Sequence, residues 1–325
     1  MNGPLPGGDA TAALVRLAAT AGLPAGLAHR PAEPVVLVER AGVTVVRVGD
    51  VVAKAHAPGT DERALATRVA LAGDPALAGL LLPPAPPGTL AALPDGRAAT
   101  VWPYGVPVDP ASDPDAVPWE VAGRLLAALH AVDTEALATP RRDLPAMGGP
   151  DRTARAVARM RRVAGHAAAR RAVERVWAGL PAWCRGETPP PGPAVLCHGD
   201  LHLGQLVRRP GPHGGWLLID VDDLGLGDPA WDLARPAAWY AAGLLAPVYW
   251  HRLLAGYRPE YGRGPGPDEP DPWPRLDAPA RALTAHFACR AVLRADRAGK
   301  GLAPDEEAFV DACARIARSS GAGSV

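Results

Sequence analysis

The segment Val195 to Ala234, VLCHGDLHLGQLVRRPGPHGGWLLIDVDDLGLGDPAWDLA, constrains the fold more than any other part of the sequence. It gathers six aspartates and glycine-containing turns between short apolar runs that have the length of β-strands. A solvated, charged face would not alternate with such apolar runs. The segment therefore predicts several short strands with polar groups at their ends.

The order of these pieces predicts how the chain returns on itself. Val195 to Cys197 is expected to form a short strand, and His198 to Leu203 a tight polar loop. Gln205 to Arg208 and WLLID are expected to form a hairpin with GPHGG as its turn, which brings the end of the second strand back toward the loop.

Asp200, Gln205 and Asp220 are therefore expected to converge on one point. Buried charges are costly unless they are paired or coordinated, so two carboxylates and an amide oxygen indicate a bound cation. Mg²⁺ takes hard oxygen ligands and is usually held by one or two protein groups together with substrate phosphates. In kinase-type phosphoryl transfer, a separate aspartate accepts the proton of the attacking hydroxyl. Asp200 is the candidate for that base, and Gln205 and Asp220 are the candidate metal ligands.

The composition argues against several other classes of protein. The chain has 34 Lys plus Arg and 34 Asp plus Glu among 325 residues, so no net charge attracts nucleic acid or an anionic membrane. The four cysteines are widely spaced and indicate neither a disulfide framework nor a zinc site, which fits a reducing cytosol. We expect no secretory signal, and the longest apolar run is shorter than the roughly 20 residues needed to cross a bilayer. The expected protein is cytoplasmic and binds a small molecule.

The first third of the chain predicts a small antiparallel sheet. VVLVER, VTVVRV and VVAKAH are β-branched runs joined by two-residue turns, and TLAALP and RAATVW are two further short strands. One helix is expected at Asp9 to Ala21, and another is expected to begin after an N-cap at Thr60. Lys54 lies inside the third predicted strand, and a positively charged side chain at such a position requires an explanation.

Beyond the proline-rich stretch Trp102 to Pro118, the apolar residues recur at helical spacing. This change predicts an α+β protein with an amino-terminal lobe at residues 1–104 and a larger, mainly helical lobe at residues 105–325. The helices expected in the second lobe cover Trp119 to Val132, Asp151 to Gly179, Pro229 to Tyr257, Asp277 to Ala298 and Pro304 to Arg318.

HGDLHLGQ followed by LLIDVDDLGLGDPAWDLA resembles the catalytic and metal-binding motifs of the aminoglycoside phosphotransferase family. The strands before Lys54, the hinge-like TVWPYG and the helix LLAALH are arranged as in that family. The paired motifs are highly specific, whereas the amino-terminal likeness rests on order and spacing. The resemblance implies a bilobal protein-kinase-like fold and a small-molecule kinase that uses ATP and Mg²⁺.

The resemblance also implies a role for individual residues. Asp200 corresponds to the catalytic base, and Asp220 corresponds to the metal-binding aspartate of the kinase D-F-G segment. Lys54 would contact the α- and β-phosphates of ATP. The residues whose backbone is expected to hydrogen-bond adenine are Trp102, Tyr104 and Val106.

Two departures from the family pattern concern the same site. The family usually has asparagine where this chain has Gln205, and a glutamine there is similar to the maltokinase-like branch. The helix glutamate expected to pair with Lys54 is replaced by Arg68, while Glu62 lies more than a turn earlier. Either Glu62 takes that role through a shifted helix, or Lys54 is held in another way.

Several nearby side chains have a structural explanation as well as a functional one. His198 is expected to orient the loop by hydrogen bonding, and His202 either does the same or contacts the substrate. Asp222 either adds a second metal contact or faces solvent. Asp228 is expected to cap a helix, and Asp232 is expected to accept hydrogen bonds from the loop.

These features favour an enzyme that transfers phosphate from ATP to a hydroxyl of a small molecule. An aminoglycoside or related antibiotic is the first candidate acceptor, and a sugar of the maltose type is the second. A nucleotide-binding protein without transferase activity is an alternative, because the first strands lack a G-x-G-x-x-G loop. A protein kinase is disfavoured by the absence of an A-P-E-like segment after the metal motif.

The two acceptor classes require different side chains. Aminoglycosides need clustered carboxylates, and the candidates are Asp268, Glu269, Asp271, Glu306 and Glu307. A neutral sugar needs aromatic platforms, and the candidates are Trp239, Tyr240, Tyr249 and Trp250.

Overall fold

The computed structural model describes residues 8–21, 32–40, 42–86, 88–109, 114–209, 214–257 and 273–321. The chain divides into two compact units, each assembled from separate segments. One unit comprises residues 1–117, 132–145 and 203–222, and the other comprises residues 118–131, 146–202 and 223–325. The lobe boundary predicted after residue 104 stays a prediction, because the units alternate along the sequence.

A five-stranded antiparallel sheet forms the centre of the first unit, in the order β1-β2-β3-β5-β4. Its strands are β1 (Val35–Arg40), β2 (Val43–Val48), β3 (Val51–Ala55), β4 (Ala91–Ala92) and β5 (Ala98–Pro103). The predicted sheet is confirmed, although the fourth strand is shorter than TLAALP. Gly49, with a φ of 60°, makes the tight turn from β2 to β3 possible, since this left-handed conformation favours glycine.

The two faces of this sheet are covered by different helices. Helix α1 (Gly8–Thr20) packs its Leu14 and Ala18 against Val51, Ala53 and Ala55 of β3. Successive strand residues point to opposite faces, so the side chain of Lys54 lies on the other face. That face also carries Thr100 and Trp102 of β5, and helix α2 (Glu62–Ala72) packs there through Leu65 and Val69.

The start of α2 corrects the predicted cap. Asp61, not Thr60, is the N-cap residue, and its side chain accepts a hydrogen bond from the Ala64 amide at 3.0 Å. The Thr60 hydroxyl instead donates to the Ala57 carbonyl at 2.7 Å. Because that hydroxyl closes the preceding turn, it is not available to cap α2, and the side chain of the next residue does so.

A second, three-stranded sheet in the same unit has the order β6-β8-β9. Its strands are β6 (Val106–Pro107), β8 (Leu206–Arg208) and β9 (Trp216–Leu218). The predicted hairpin is confirmed, with Leu206 opposite Leu218 and Arg208 opposite Trp216. Asp220 follows the last strand and has a φ of 65°, which is rare for a residue with a side chain and marks a functional position in many proteins.

The second unit is mainly helical. Its helices are α3 (Trp119–His130), α4 (Gly149–Met160), α5 (Ala167–Ala178), α6 (Ala230–Ala241), α7 (Pro247–Tyr257), α8 (Trp273–Ala298) and α9 (Pro304–Gly321). A two-stranded sheet joins β7 (Val195–Cys197) to β10 (Gly225–Gly227). Among the described residues, no helix is both long and apolar enough to cross a membrane.

The prediction of one continuous helix over Asp151 to Gly179 is wrong, because α4 and α5 are separate helices. His166, which immediately precedes α5, has a φ of 56°. A left-handed residue cannot continue a right-handed α-helix, so the chain breaks there. The arginine- and alanine-rich composition on both sides of the break conceals it from a search for apolar periodicity.

Glycines allow α3 and α7 to approach each other closely. A Cβ at Gly123 would lie 2.2 Å from the Leu253 carbonyl oxygen, and a Cβ at Gly256 would lie 2.1 Å from the Glu120 carbonyl oxygen. Only residues without a side chain fit at these two positions. Arg252 and Glu120 join the same two helices by an ion pair of 2.6 Å.

Candidate active site

Lys54 is held by two aspartates of its own unit. Its Nζ lies 2.5 Å from Oδ1 of Asp220 and 2.7 Å from Oδ2 of Asp222. His56 is two residues further along β3, and its Nδ1 lies 3.3 Å from the same oxygen of Asp222. The Nε2 atom of His56 is 2.9 Å from the Thr100 hydroxyl. The third strand thus presents a lysine and a histidine to one pair of carboxylates.

The charges in this cluster stabilise one another. Burial alone would lower the pKa of Lys54, but the carboxylates of Asp220 and Asp222 outweigh it and raise that pKa above its ordinary value. Burial would raise the pKa of both aspartates, but Lys54 lowers it in each case, and His56 lowers that of Asp222 further. The two carboxylates are therefore ionised at neutral pH and already hold a cationic group between them.

Gln205 joins this cluster through its side-chain amide. It is buried at the end of a single helical turn (Leu203–Gln205), and its Nε2 donates to Oδ2 of Asp220 at 2.9 Å. The donor set is two carboxylates and an amide oxygen, which are the hard oxygen ligands that Mg²⁺ prefers. The residues present therefore fit a magnesium ion, and Gln205, Asp220 and Asp222 are the groups that would hold it.

The residues expected to contact adenine lie in β5, in β6 and in the short link between these strands, all in the same unit. Trp102 is in β5, where its indole Nε1 donates to the Thr100 hydroxyl at 2.9 Å. The backbone amide of Tyr104 donates to the Asp50 carbonyl at 2.7 Å, so that amide already has a partner. Val106 is in β6, is exposed, and pairs with Arg208 of β8.

In the second unit, a buried carboxylate holds the loop that carries Asp200. Asp232 of α6 accepts hydrogen bonds from the backbone amides of His198 and Gly199, both at 2.7 Å. The Nε2 atom of His130 lies 2.9 Å from the same carboxylate. Burial would raise the pKa of Asp232, but these hydrogen bonds and the neighbouring histidines lower it. The predicted contact between Asp232 and the loop is confirmed.

Other parts of the loop are fixed by its backbone. Gly199 has a φ of 82°, and a Cβ there would lie 2.4 Å from the Asp223 carbonyl oxygen, so glycine is required. The Asp200 amide lies 3.4 Å from Nδ1 of His198, which is fully buried. His198 thus contacts the loop as expected, whereas His202 is exposed.

Asp228 accepts a hydrogen bond from the Ala230 amide at 2.9 Å at the start of α6.

The side chain of Asp200 contacts two arginines that the sequence did not single out. Its Oδ1 lies 3.0 Å from Nη2 of Arg152 in α4 and 2.7 Å from Nη1 of Arg235 in α6. Arg152 also forms an ion pair with Asp223 and donates to the Gly199 carbonyl at 3.1 Å. Arg152 therefore does not belong to a solvated face of α4.

The structure thus groups the predicted site residues into two clusters. Lys54, Gln205, Asp220 and Asp222 are in contact within the first unit, and Asp200 lies in the second unit with its two arginines. His56 was missed, although it shares a strand face with Lys54 by the alternation of side chains, and that spacing was a usable signal.

The phosphotransferase enzyme family, abbreviated APH, matches residues 34–277, which include both clusters. The chain belongs to this family. The predicted enzyme class, a phosphotransferase of the kinase type with an alcohol group as acceptor, is thereby confirmed. The comparison with curated proteins gave no match.

Several solved structures share the fold of this family member. A spectinomycin phosphotransferase in complex with ADP and spectinomycin is 13% identical, with a TM-score of 0.56 over 89% of this chain and 93% of that one. A choline/ethanolamine kinase family protein from Mesorhizobium loti is 18% identical, with a TM-score of 0.56 over 95% and 94%. An aminoglycoside phosphotransferase in complex with AMP-PNP and hygromycin B is 15% identical, with a TM-score of 0.55 over 90% and 95%. The predicted α+β, protein-kinase-like fold is confirmed.

Proposed function

We propose that this family member transfers the γ-phosphoryl group of ATP to a hydroxyl of a small molecule, with Mg²⁺ as the metal. The observation that carries the proposal is the contact of Lys54 with Asp220 and Asp222, because kinases use such a lysine and acidic residue on nucleotide phosphates and metal. The neighbours solved with ADP and AMP-PNP support ATP as the phosphate donor.

In this proposal the first cluster binds the nucleotide. The Lys54 ammonium contacts the α- and β-phosphates, and His56 orients Asp222 from the same strand. Gln205, Asp220 and Asp222 hold Mg²⁺, which when bound neutralises the charge on the phosphates. The Tyr104 amide already donates a hydrogen bond to the Asp50 carbonyl. Other backbone groups between Trp102 and Val106 therefore make the hydrogen bonds to adenine.

Asp200 is the proposed base. Its carboxylate accepts the proton of the acceptor hydroxyl, while Asp232 and Gly199 fix the backbone of its loop. Catalysis then depends on positioning and charge neutralisation, with no covalent intermediate on the enzyme. A protein that binds nucleotide without transferring phosphate would have no use for a carboxylate held in this way.

Two acceptor classes follow from the sequence. The neighbours that contain spectinomycin and hygromycin B support an aminoglycoside or related antibiotic. Of its candidate carboxylates, Glu306 is buried and pairs with Arg294 at 2.8 Å, and Glu307 is exposed, while the other three lie outside the described residues. The described residues therefore show no cluster of these candidate carboxylates that could bind several ammonium groups.

The maltose-type alternative is also weakly supported. Its aromatic candidates contact other rings, since Tyr249 stacks on Trp119 with centroids 5.8 Å apart and Tyr240 stacks on Trp250 at 5.9 Å. Trp239 meets the ring of Phe309 edge-on at 5.5 Å. Neither acceptor class explains why two arginines contact Asp200.

The deciding experiment for the proposed function separates nucleotide binding from transfer. Calorimetry should show Mg²⁺-dependent binding of AMP-PNP that Lys54→Met weakens, and ADP release should rise with at least one acceptor from a panel of aminoglycosides, maltose and charged sugars. Absence of Mg²⁺-dependent nucleotide binding would refute the proposal. We also propose a cytoplasmic location, which is supported by ATP use and by four free, buried cysteines.

A further inference from the structure

Two guanidinium groups share one oxygen of the proposed base. Oδ1 of Asp200 accepts a hydrogen bond from Nη1 of Arg235 in α6 and forms an ion pair with Nη2 of Arg152 in α4 at 3.0 Å. The exposed fractions of the three side chains are 25% for Asp200, 22% for Arg152 and 15% for Arg235. A small molecule in solution can therefore reach all three groups.

The two arginines have hydrogen-bond donors left over. The hydrogen bonds of Arg235 to described residues all use Nη1, which contacts Oδ1 and the carbonyl oxygen of Asp200 at 2.7 and 3.4 Å. Nε of Arg152 is buried and has no partner among the described residues. A guanidinium group has five N–H donors in a planar fork that matches a carboxylate or phosphate, so Arg235 can bind a further anion through its remaining donors. The partly exposed Arg152 adds its positive charge beside it.

Charged groups of both signs surround this pair, and arginines outnumber the carboxylates. The pKa of His286 lies well below its ordinary value because the ring is buried and because Arg152, Arg290 and Arg235 disfavour another positive charge. Burial lowers the pKa of Arg235 to about 10, Arg152 and Arg290 add to this shift, and Asp200 and Asp223 oppose it. Three arginines and two aspartates thus act on this region, so positive charge is in excess there.

His286 adds an independent observation. Its Nδ1 is buried and has no hydrogen-bond partner in the described part of the chain. Buried polar atoms in native structures are nearly always paired, so this nitrogen leaves a hydrogen bond to be completed by a water molecule or a polar ligand. The imidazole ring of this histidine is uncharged, and it can form a hydrogen bond to an anion bound nearby.

We propose that Arg152 and Arg235 form an acceptor subsite for an oxyanion, so that the acceptor carries a carboxylate or phosphate beside its reactive hydroxyl. This inference rests on the function proposed above. An ammonium group brought to Asp200 would be repelled by both arginines, whereas an oxyanion would gain charge-assisted, bidentate hydrogen bonds. The subsite therefore selects against polycationic acceptors such as aminoglycosides.

The reaction on such an acceptor has a simple balance. The hydroxyl oxygen forms a bond to the γ-phosphorus of ATP as the bond from that phosphorus to the β–γ bridging oxygen breaks. The hydroxyl proton goes to Asp200, and ADP leaves. Arg152 and Arg235 hold the oxyanion of the acceptor and act as positioning groups for its hydroxyl.

Calorimetry on the full chain, saturated with Mg²⁺ and AMP-PNP, tests the subsite directly. Malonate and inorganic phosphate are the probes, and the tighter of the two identifies the preferred oxyanion. We expect saturable binding of at least one probe, weakened about tenfold or more by Arg152→Gln or Arg235→Gln, as expected for loss of a charge-assisted contact. Arg155→Gln is the matched control, because Arg155 lies on α4 with Arg152 but is exposed and pairs with Asp151.

Conservative variants keep the test decisive if a glutamine variant does not fold. Arg152→Lys and Arg235→Lys retain the charge but lose the fork, so they should bind the probes more weakly than the wild type and more tightly than the glutamine variants. Saturable binding of kanamycin without binding of either oxyanion would overturn the inference, as would glutamine variants that bind the probes like the wild type. Failure of the proposed function appears separately, as a loss of AMP-PNP binding, and the oxyanion titration can then be run without nucleotide.

Discussion

Nζ of Lys54 lies 2.7 Å from Oδ2 of Asp222, two positions beyond Asp220, the other aspartate proposed to hold the metal. Glu62, at the start of α2, is not among the ion-pair partners of Lys54 in the described chain. In this structure, therefore, the segment after β9 supplies the anionic partners that a helix glutamate would otherwise provide. His56 supports the arrangement from β3, because it contacts Asp222 and shares the strand with Lys54.

The first prediction is that Glu62→Gln has almost no effect, whereas Lys54→Met lowers turnover on the order of a hundredfold, the scale of removing one preorganised charge contact. Asp222→Asn should raise the Michaelis constant for ATP and lower turnover, because it leaves Lys54 with one carboxylate. Steady-state ADP release measures all three. A double-mutant cycle completes the test, and strong coupling between Glu62 and Lys54 would show that the glutamate is the partner after all.

The second prediction concerns Asp200 as the base. Asp200→Asn should bind Mg·AMP-PNP with nearly the affinity of the wild type, because Lys54 and Asp220 are unchanged. Turnover should fall by a factor on the order of a hundred or more, as is typical when a general base is removed. Calorimetry and ADP release measure the two effects, with the surface variant Asp277→Asn as the control. Loss of nucleotide binding in Asp200→Asn would contradict this division of roles.

The third prediction concerns the length of Gln205. Asparagine would restore the commoner family residue but withdraw the amide by about 1.5 Å, one carbon–carbon bond. It would also lose the 2.9 Å hydrogen bond from Nε2 to Asp220. Because Mg²⁺ tolerates little departure from octahedral geometry, Gln205→Asn should need more magnesium for half-maximal ADP release. Unchanged magnesium dependence in both Gln205→Asn and Gln205→Leu would exclude Gln205 as a ligand.

The sequence predicted those parts of the fold and site that depend on nearby residues. The β-branched runs and their two-residue turns predicted the antiparallel sheet, and the HGD and DPAWDLA motifs predicted the contact of Asp232 with the loop. The partners of Lys54 and Asp200 had no local signal. Asp222 is 168 positions from Lys54, and Arg235 is 35 positions from Asp200 on a helix that reads as apolar. Such contacts are decided by tertiary packing, which periodicity does not reveal.

The fourth prediction concerns stability and the buried carboxylate of Asp232. Both of its oxygens accept backbone amides of the loop, from His198 and Gly199. In Asp232→Asn the amide nitrogen would face one of these N–H groups, and an unsatisfied buried donor costs about 1–3 kcal/mol, or more where a charged partner is lost. Urea denaturation at pH 7 should therefore show a loss of about 3 kcal/mol. The control Asp277→Asn removes an exposed pair with Arg281 and should change stability by less than about 1 kcal/mol.

The same carboxylate predicts the direction of a pH effect. The pKa of Asp232 is lower in the folded protein than its ordinary value, so its ionised form stabilises the fold above about pH 4, the pKa of an unperturbed aspartate. As the pH falls from there through the lowered pKa, the unfolded chain binds a proton that the folded chain does not, and the stabilisation disappears. The difference in unfolding free energy between the wild type and Asp232→Asn should therefore shrink between about pH 4 and lower values. A difference that stays constant over that range would mean that the charge of Asp232 does not contribute to stability.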